Sequence, residues 1–130
     1  MYDEELLERS IHPEFMGKID GIEPILLLNS SCGDELKVYL KVSRGVVVDG
    51  KFTGKGCAIA LASADTFVAS IKGKTIEEAR EMSEEFSKMV IGEKYSVDKL
   101  GKARCLSCVS RMPARVKCAK LAWESLDKLA

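Results

Sequence analysis

Residues 32–42 read CGDELKVYLKV and join a tight turn to the clearest strand pattern in the chain. From position 36 onward, apolar residues alternate with lysine or tyrosine, and this period of two indicates a strand with one buried face. Before the strand, Gly33 permits a positive φ, so the side chains of Cys32 and Asp34 can converge on one bend. A thiolate beside a carboxylate forms a pair of metal ligands. The alternative is that these residues only form a turn between two strands.

Two further strands are predicted on either side of this one. Residues 22–29 are rich in leucine and isoleucine, and Pro24 places this strand at the edge of a sheet or marks its start. Residues 46–52 follow a turn at positions 43–45 and return as a third strand. Because the connections are short, the three strands are expected to form an antiparallel meander.

Four helices are predicted from apolar spacing and capping residues, and they cover residues 2–11, 58–72, 76–90 and 113–129. Asp3 is the expected N-cap of the first helix, and Thr75 with Glu78 forms a capping box for the third. Pro113 occupies the favoured first position of the fourth helix. Residues 92–102 are expected to form a polar connection with room for a short helical turn.

The composition is that of one globular domain and argues against several functional classes. The chain has 130 residues, of which 46% are hydrophobic and 31% charged, so one domain spanning residues 1–130 can bury a core. Twenty basic residues balance twenty acidic ones, which argues against nucleic acid or a membrane surface as a partner. The sequence lacks an apolar run long enough to cross a bilayer, and its acidic start is unlike a signal peptide. We therefore expect a cytoplasmic protein.

The five cysteines point to metal or thiol chemistry in such a reducing compartment. An odd number of cysteines fits a disulfide framework poorly, although a buried, inert cysteine is the alternative for any single one. Cys57 and Cys118 both lie near predicted helix N-termini, where the helix dipole favours a thiolate. Together with Cys32 and Asp34 they form the expected metal or metal–sulfur site.

Two further groups of residues accompany the expected site. Lys55, Arg115 and Lys117 each lie within three residues of an expected ligand and could offset the negative charge of a metal–thiolate centre. The alternative is that all three are ordinary solvated charges. Cys105 and Cys108 form a Cys-x-x-Cys pair, which alone is half a zinc site or a redox pair. We interpret this pair as accessory or incidental, and the alternative is a second thiol relay near the site.

Three motifs taken together resemble the IscU/SufU family of iron–sulfur cluster assembly proteins. They are SCGD at residues 31–34, GKGCAIALASA at 54–64 and PARVKCAKLAW at 113–123. The likeness extends from His12 to the last helix. The resemblance implies an α+β, SufE/IscU-like fold in which helices pack on one face of a three-stranded antiparallel sheet. It also implies that the metal or cluster site is exposed at one end of the domain.

The resemblance also assigns roles to individual residues. Cys32, Asp34, Cys57 and Cys118 match the family's ligand positions, for Zn²⁺ or for a [2Fe–2S] cluster. Cys118 matches the cysteine that accepts persulfide sulfur in scaffold members, whereas in SufU members the resemblance puts that task on Cys57 after the desulfurase displaces zinc. Scaffold-type IscU proteins carry histidine at the position of Lys117, and the long interval before the last cysteine includes an insertion similar to that of SufU proteins. Both features favour the SufU branch.

The leading hypothesis is therefore a zinc-dependent sulfur relay of the SufU type, which accepts sulfur from a cysteine desulfurase similar to SufS or IscS. The alternative is a scaffold on which a [2Fe–2S] cluster is built and then transferred to recipient apo-proteins. A structural zinc domain that binds a partner protein is a third hypothesis, disfavoured because aspartate is an unusual ligand in purely structural zinc sites. The first hypothesis describes a sulfurtransferase-like protein and the second a non-enzymatic scaffold.

Overall fold

The computed structural model describes residues 3–129, so Tyr2 of the predicted first helix lies outside the described residues. The sheet contains the strands β1 (Ile25–Asn29), β2 (Asp34–Ser43) and β3 (Val46–Lys55). The α-helices are α1 (Glu4–Ile11), α2 (Ala58–Ile71), α3 (Ile76–Val90), α4 (Val97–Leu100) and α5 (Val116–Lys120). Segments of 3₁₀ helix cover Gly101–Arg111, Pro113–Arg115 and Ala122–Lys128.

The three strands form one antiparallel sheet in the order β1-β2-β3, which confirms the predicted meander. Leu27 of β1 lies opposite Leu36 of β2, and both are buried, so the two strands share one apolar face. Arg44 and Gly45, with φ values of 52° and 77°, form the two-residue hairpin turn between β2 and β3. Positive φ at both central residues matches the twist of the flanking strands. β1 begins later than predicted, after a proline that cannot donate to the ladder.

The helices cover one face of this sheet, and α2 lies at the centre of the core. Most residues of α2 are buried, and a helix that is apolar on all sides must be enclosed by other elements. The ring of Trp123 stacks on that of Phe86, with 4.4 Å between the ring centroids, and contacts the ring of Phe67 in α2 edge-on, with 4.9 Å between the centroids. On the other face of the sheet, Leu26 and Leu28 are exposed. The predicted α+β fold with helices on one face of the sheet is thereby confirmed.

The predicted caps of the first and third helices are confirmed as well. The side chain of Asp3 accepts a hydrogen bond from the backbone N–H of Glu5 at 2.8 Å. Thr75 and Glu78 form the reciprocal capping box of α3. The backbone N–H of Thr75 donates to Oε1 of Glu78 at 2.9 Å, and the backbone N–H of Glu78 donates to Oγ1 of Thr75 at 3.1 Å. The short helix α4 lies within the predicted polar connection. In the part of the chain from residue 3 to residue 129, no helix has the length and apolar composition needed to cross a membrane.

The C-terminal part of the chain is helical, but much of it is 3₁₀ helix. Pro113 starts the predicted last helix, of which only α5 is α-helical. The 3₁₀ helix Gly101–Arg111 has no counterpart among the predicted elements. Its fully buried residues Ala103, Leu106 and Val109 recur at every third position. This repeat suits a 3₁₀ helix, in which side chains at i and i+3 eclipse one another.

A buried ion pair joins the first helix to the core. Nη1 of Arg9 lies 2.7 Å from Oδ2 of Asp65, and the two side chains are 11% and 0% exposed. The other carboxylate oxygen of Asp65 accepts a hydrogen bond from the backbone N–H of Phe15 at 2.8 Å. One carboxylate in α2 thus fixes both α1 and the segment that follows it.

Replacement of Arg9 by methionine should destabilise the protein strongly. Arg9→Met leaves the Asp65 carboxylate buried without its cation, so we expect the free energy of unfolding to fall by about 3–5 kcal/mol. Urea unfolding of the metal-free protein measures this loss. Arg80→Met, at an exposed position of α3, is the matched control and should change stability little. Equal stabilities for the two variants would contradict the assignment.

Candidate metal centre

The candidate site forms where the turn between β1 and β2, the start of α2 and the helix α5 meet. Asn29 ends β1 and pairs with Asp34, the first residue of β2, and Cys32 lies in the turn between them. Gly33 adopts a φ of +71° in this turn, as the sequence predicts. Cys57 is the N-cap of α2. Residues distant in sequence therefore converge at the ends of elements, where side chains can face a common point.

Three of the four predicted ligands meet closely. The ligand atoms of Cys32, Asp34 and Cys118 all lie within 4.8 Å of one another. Zinc–sulfur bonds of about 2.3 Å place the ligands of a tetrahedral zinc ion about 4 Å apart, so this spacing requires little adjustment to hold an ion. Cys118, contributed by α5, is fully buried, whereas Cys32 is half-buried. The predicted combination of thiolate and carboxylate is thus assembled by the fold.

Cys57 lies beside this group of three ligands. Its backbone N–H donates to Oδ1 of Asp34 at 3.0 Å, and its half-buried side chain makes no capping hydrogen bond to α2. The neighbouring thiol of Cys57 is one of the groups that raise the pKa of Cys118. The position is suitable for a fourth ligand, and its role as a ligand and sulfur acceptor stays a prediction.

The carboxylate of Asp34 is buried and fully hydrogen-bonded. The residue is 2% exposed, and Oδ1 accepts the N–H of Cys57. Oδ2 accepts a hydrogen bond from Nδ2 of Asn29 at 3.1 Å, and the same nitrogen lies 3.4 Å from Sγ of Cys118. Asn29 is not among the site residues predicted from the sequence. The signal available was a polar residue that ends an apolar strand immediately before the predicted ligand turn.

The thiol of Cys118 is held in its protonated form in the absence of a metal. Burial raises its pKa well above the ordinary range, and hydrogen bonds with Asp34, Cys32 and Cys57 raise it further. A metal ion that binds this sulfur must displace its proton, so binding at Cys118 is coupled to proton release.

Among the three predicted accessory cations, Arg115 makes direct contact with the site. Its Nη1 lies 3.5 Å from Sγ of Cys32. A hydrogen bond with Cys118 raises the pKa of the guanidinium, and the charges of Cys57 and Cys32 raise it further. Lys55 and Lys117 are exposed, which suits solvated charges at the rim. A guanidinium here offsets negative charge without occupying a ligand position.

The Cys105 and Cys108 pair belongs to the hydrophobic core. Both residues are 7% exposed and lie on the 3₁₀ helix Gly101–Arg111. Burial raises the pKa of Cys105 to about 12, with a further contribution from the carboxylates of Glu5 and Asp3. A thiol with this pKa is almost entirely protonated at neutral pH and therefore reacts slowly as a nucleophile. These features favour the incidental alternative over an accessory relay.

The elements that carry the site are linked by further contacts. The hydroxyl of Ser63 in α2 donates to the carbonyl of Ala119, and Nε1 of Trp123 donates to this hydroxyl at 3.2 Å. This chain of hydrogen bonds fixes α2 against the segment that carries Cys118. A groove of about 590 Å³ opens beside the ligand turn and includes Lys117 in its wall. The site is therefore supported by contacts between α2 and the segment of Cys118, and its residues Cys32 and Cys57 are half-buried.

These features define an α+β domain with a thiol-and-carboxylate metal site at the ends of its sheet and central helix. The family model of the NifU-like N terminal domain matches residues 1–126. The chain therefore belongs to this family, and the predicted IscU/SufU membership is confirmed.

Known relatives cover nearly the whole chain. This chain is 38% identical over 130 residues to the zinc-dependent sulfurtransferase SufU of Bacillus subtilis, and the alignment covers 98% of this chain and 88% of that protein. It is 43% identical over 129 residues to the iron–sulfur cluster assembly scaffold protein IscU of Thermotoga maritima, covering 98% and 91%. The crystal structure of a putative scaffold protein for the SUF system from Fervidobacterium islandicum superposes with a TM-score of 0.92 at 36% identity, covering 98% and 94%.

Gly56→Ala should weaken metal binding without unfolding the protein. A Cβ at this position would lie 2.6 Å from Oδ1 of Asp34, so the buried carboxylate must shift. Because misplaced ligands and lost supporting contacts typically cost 10–100-fold in metal affinity, we expect a loss of about 10-fold or more. Competition with a chromophoric zinc chelator measures it. Thr53→Ala, on the preceding strand, is the control, and equal affinities in the two variants would refute the steric explanation.

Proposed function

We propose that this protein is a zinc-dependent sulfur relay for iron–sulfur cluster assembly and accepts sulfur from a cysteine desulfurase. The observation that carries the proposal is the convergence of Cys32, Asp34 and Cys118 within 4.8 Å, with the backbone of Cys57 hydrogen-bonded to Asp34. Its relative in Bacillus subtilis, 38% identical, is named a zinc-dependent sulfurtransferase. Recipient apo iron–sulfur proteins are the expected users of the sulfur.

The donor set suits zinc. Cysteine sulfur and aspartate oxygen are both common zinc ligands, and four such donors complete a tetrahedral shell. Cys32, Asp34, Cys57 and Cys118 would hold the ion. A bound zinc ion would keep the thiols deprotonated until a partner releases one of them. Arg115 lies where it offsets the negative charge of the loaded site.

The chemical step is a thiol–persulfide exchange. A thiolate of this protein attacks the terminal sulfur of the persulfide on the desulfurase, and a new sulfur–sulfur bond forms. The sulfur–sulfur bond of the donor breaks, and its electron pair leaves with the donor cysteine as a thiolate. One sulfur atom moves, and no external oxidant or reductant is consumed.

Burial distinguishes the candidate acceptor thiols. Cys118 is 0% exposed, so an incoming persulfide cannot reach it without opening of the site. Cys32 and Cys57 are half-buried and lie nearer the surface. Cys57 benefits from the N-terminus of α2, and Cys32 from the nearby guanidinium of Arg115. We propose that one of these two thiols is the first acceptor.

Sulfur acceptance should therefore depend on the half-buried cysteines. The zinc-loaded protein is incubated with a cysteine desulfurase and cysteine, and intact and peptide mass spectrometry locates the added sulfur. We expect it on Cys57 or Cys32, with stimulation of the desulfurase abolished by replacing the acceptor with serine. Cys105→Ser is the control and should retain full stimulation. Initial sulfur on Cys118, or full stimulation by both Cys32→Ser and Cys57→Ser, would contradict the proposal.

A cluster scaffold is the second candidate function. The observation in its favour is the 43% identity to a Thermotoga maritima protein named an iron–sulfur cluster assembly scaffold. The same thiol and carboxylate donors are able to bind iron. The resemblance implies a histidine at position 117 in scaffold-type IscU proteins, but this chain has Lys117. This difference favours the sulfur-relay function over the scaffold.

The metal content of the purified protein separates the two candidates. Protein prepared without oxygen is analysed for zinc, iron and acid-labile sulfide, beside its visible spectrum. The relay predicts about one zinc per chain in a colourless protein without sulfide. Iron and sulfide in equal amounts, with a brown spectrum, would replace the relay by the scaffold. Asp34→Ala should then yield a more persistent cluster, because an oxygen ligand favours release.

A further inference from the structure

The side-chain amide of Asn29 contacts two different ligand residues of the site. Asn29 is 6% exposed, and its Nδ2 lies 3.1 Å from Oδ2 of Asp34 and 3.4 Å from Sγ of Cys118. An amide nitrogen carries two hydrogens, so it can donate to both atoms at once. The reverse orientation would place the amide oxygen against the Asp34 carboxylate, and two acceptors repel one another. The chemistry of the neighbours therefore fixes the orientation of the amide.

These contacts divide the four ligand residues into two pairs. Asp34 and Cys118 are 2% and 0% exposed, and Asn29 holds them side by side. Cys32 and Cys57 are half-buried and make no contact with this amide among the hydrogen bonds of the described residues. The second oxygen of Asp34 accepts from the backbone N–H of Cys57, and this bond does not involve the thiol of Cys57.

We propose that Asn29 is a positioning residue of the metal centre, which keeps the Asp34 carboxylate and the Cys118 sulfur together as the permanent ligand pair. Asp34 and Cys118 would then retain the metal while Cys32 or Cys57 is released to accept sulfur. This inference rests on the proposed function and adds that two ligands retain the metal whereas one of the other two accepts sulfur.

Asparagine is well suited to this task. It is neutral and presents only N–H groups to the site, so it orients both ligands without adding negative charge. Aspartate has the same shape but would place a second carboxylate about 3 Å from that of Asp34, where like charges repel. Hydrogen-bond partners of metal ligands typically contribute 10–100-fold to metal affinity.

The test compares zinc binding by chelator competition in the wild-type protein, Asn29→Ala, Asn29→Asp and Ser31→Ala. Ser31 is an exposed residue of the same turn and serves as the control. We expect Asn29→Ala to lose about 10–100-fold in affinity, Asn29→Asp to lose at least as much, and Ser31→Ala to match the wild type. In the Cys57→Ser and Cys32→Ser backgrounds, zinc should be retained with Asn29 present and released when Asn29 is replaced by alanine.

A double-mutant comparison shows whether Asn29 acts through its two contacts. If it does, Asn29→Ala costs much less affinity in an Asp34→Ala background than in the wild type. Unfolding of each metal-free variant is measured in parallel, and the isosteric Asn29→Asp carries the test if Asn29→Ala does not fold. Affinities equal to that of Ser31→Ala, or the same loss with and without Asp34, would overturn the inference alone. A wild-type protein that does not bind zinc would overturn the proposed function as well.

Discussion

The carboxylate of Asp34 is buried, and a buried charge must be matched by donors or by a cation. Its two oxygens are satisfied by the backbone N–H of Cys57 and by the side chain of Asn29. These donors come from the start of α2 and the end of β1, so the requirement of one side chain fixes the sheet relative to the central helix. Because the same side chain is a metal ligand, the fold and the site share one constraint.

The central helix carries the other polar contacts that organise the core. Asp65 binds Arg9 and the backbone of Phe15, while Ser63 binds the segment that contains Trp123. Asp65 and Ser63 give the largely apolar helix α2 hydrogen bonds of defined direction, which its apolar side chains cannot form. Apolar burial alone tolerates many arrangements of helices, whereas a few satisfied buried polar groups select one. The position of α5, and hence of Cys118, depends on this selection.

Much of the fold follows from local sequence patterns. The alternation in β2, the hairpin at Arg44 and the capping box of α3 are each specified by neighbouring residues, and they could be predicted. The Cys-Gly-Asp turn could be predicted for the same reason, since glycine readily adopts the positive φ that a tight turn uses. By contrast, the 3₁₀ helix Gly101–Arg111 depends on a repeat of three that its sequence alone does not distinguish from an irregular loop.

Long-range polar partners could not be predicted from the sequence. Arg9 and Asp65 are far apart in the chain, and each is unremarkable in its own segment. From its local sequence, Asn29 is only the end of a strand. Its contact with Cys118 forms when the sheet packs against α5, so the local sequence does not reveal it. The same reason explains why the Cys105 and Cys108 pair could not be separated from the site: its burial is decided by tertiary packing.

The wide separation of the ligand residues along the chain has a consequence for biosynthesis. Cys32 and Cys57 leave the ribosome well before Cys118, so the nascent chain exposes two nucleophilic thiols before their buried partner exists. During that interval neither thiol has the surrounding helix and sheet that position it. The complete set of four ligand residues therefore exists only after the C-terminal segment has been synthesised and has packed against the sheet and α2.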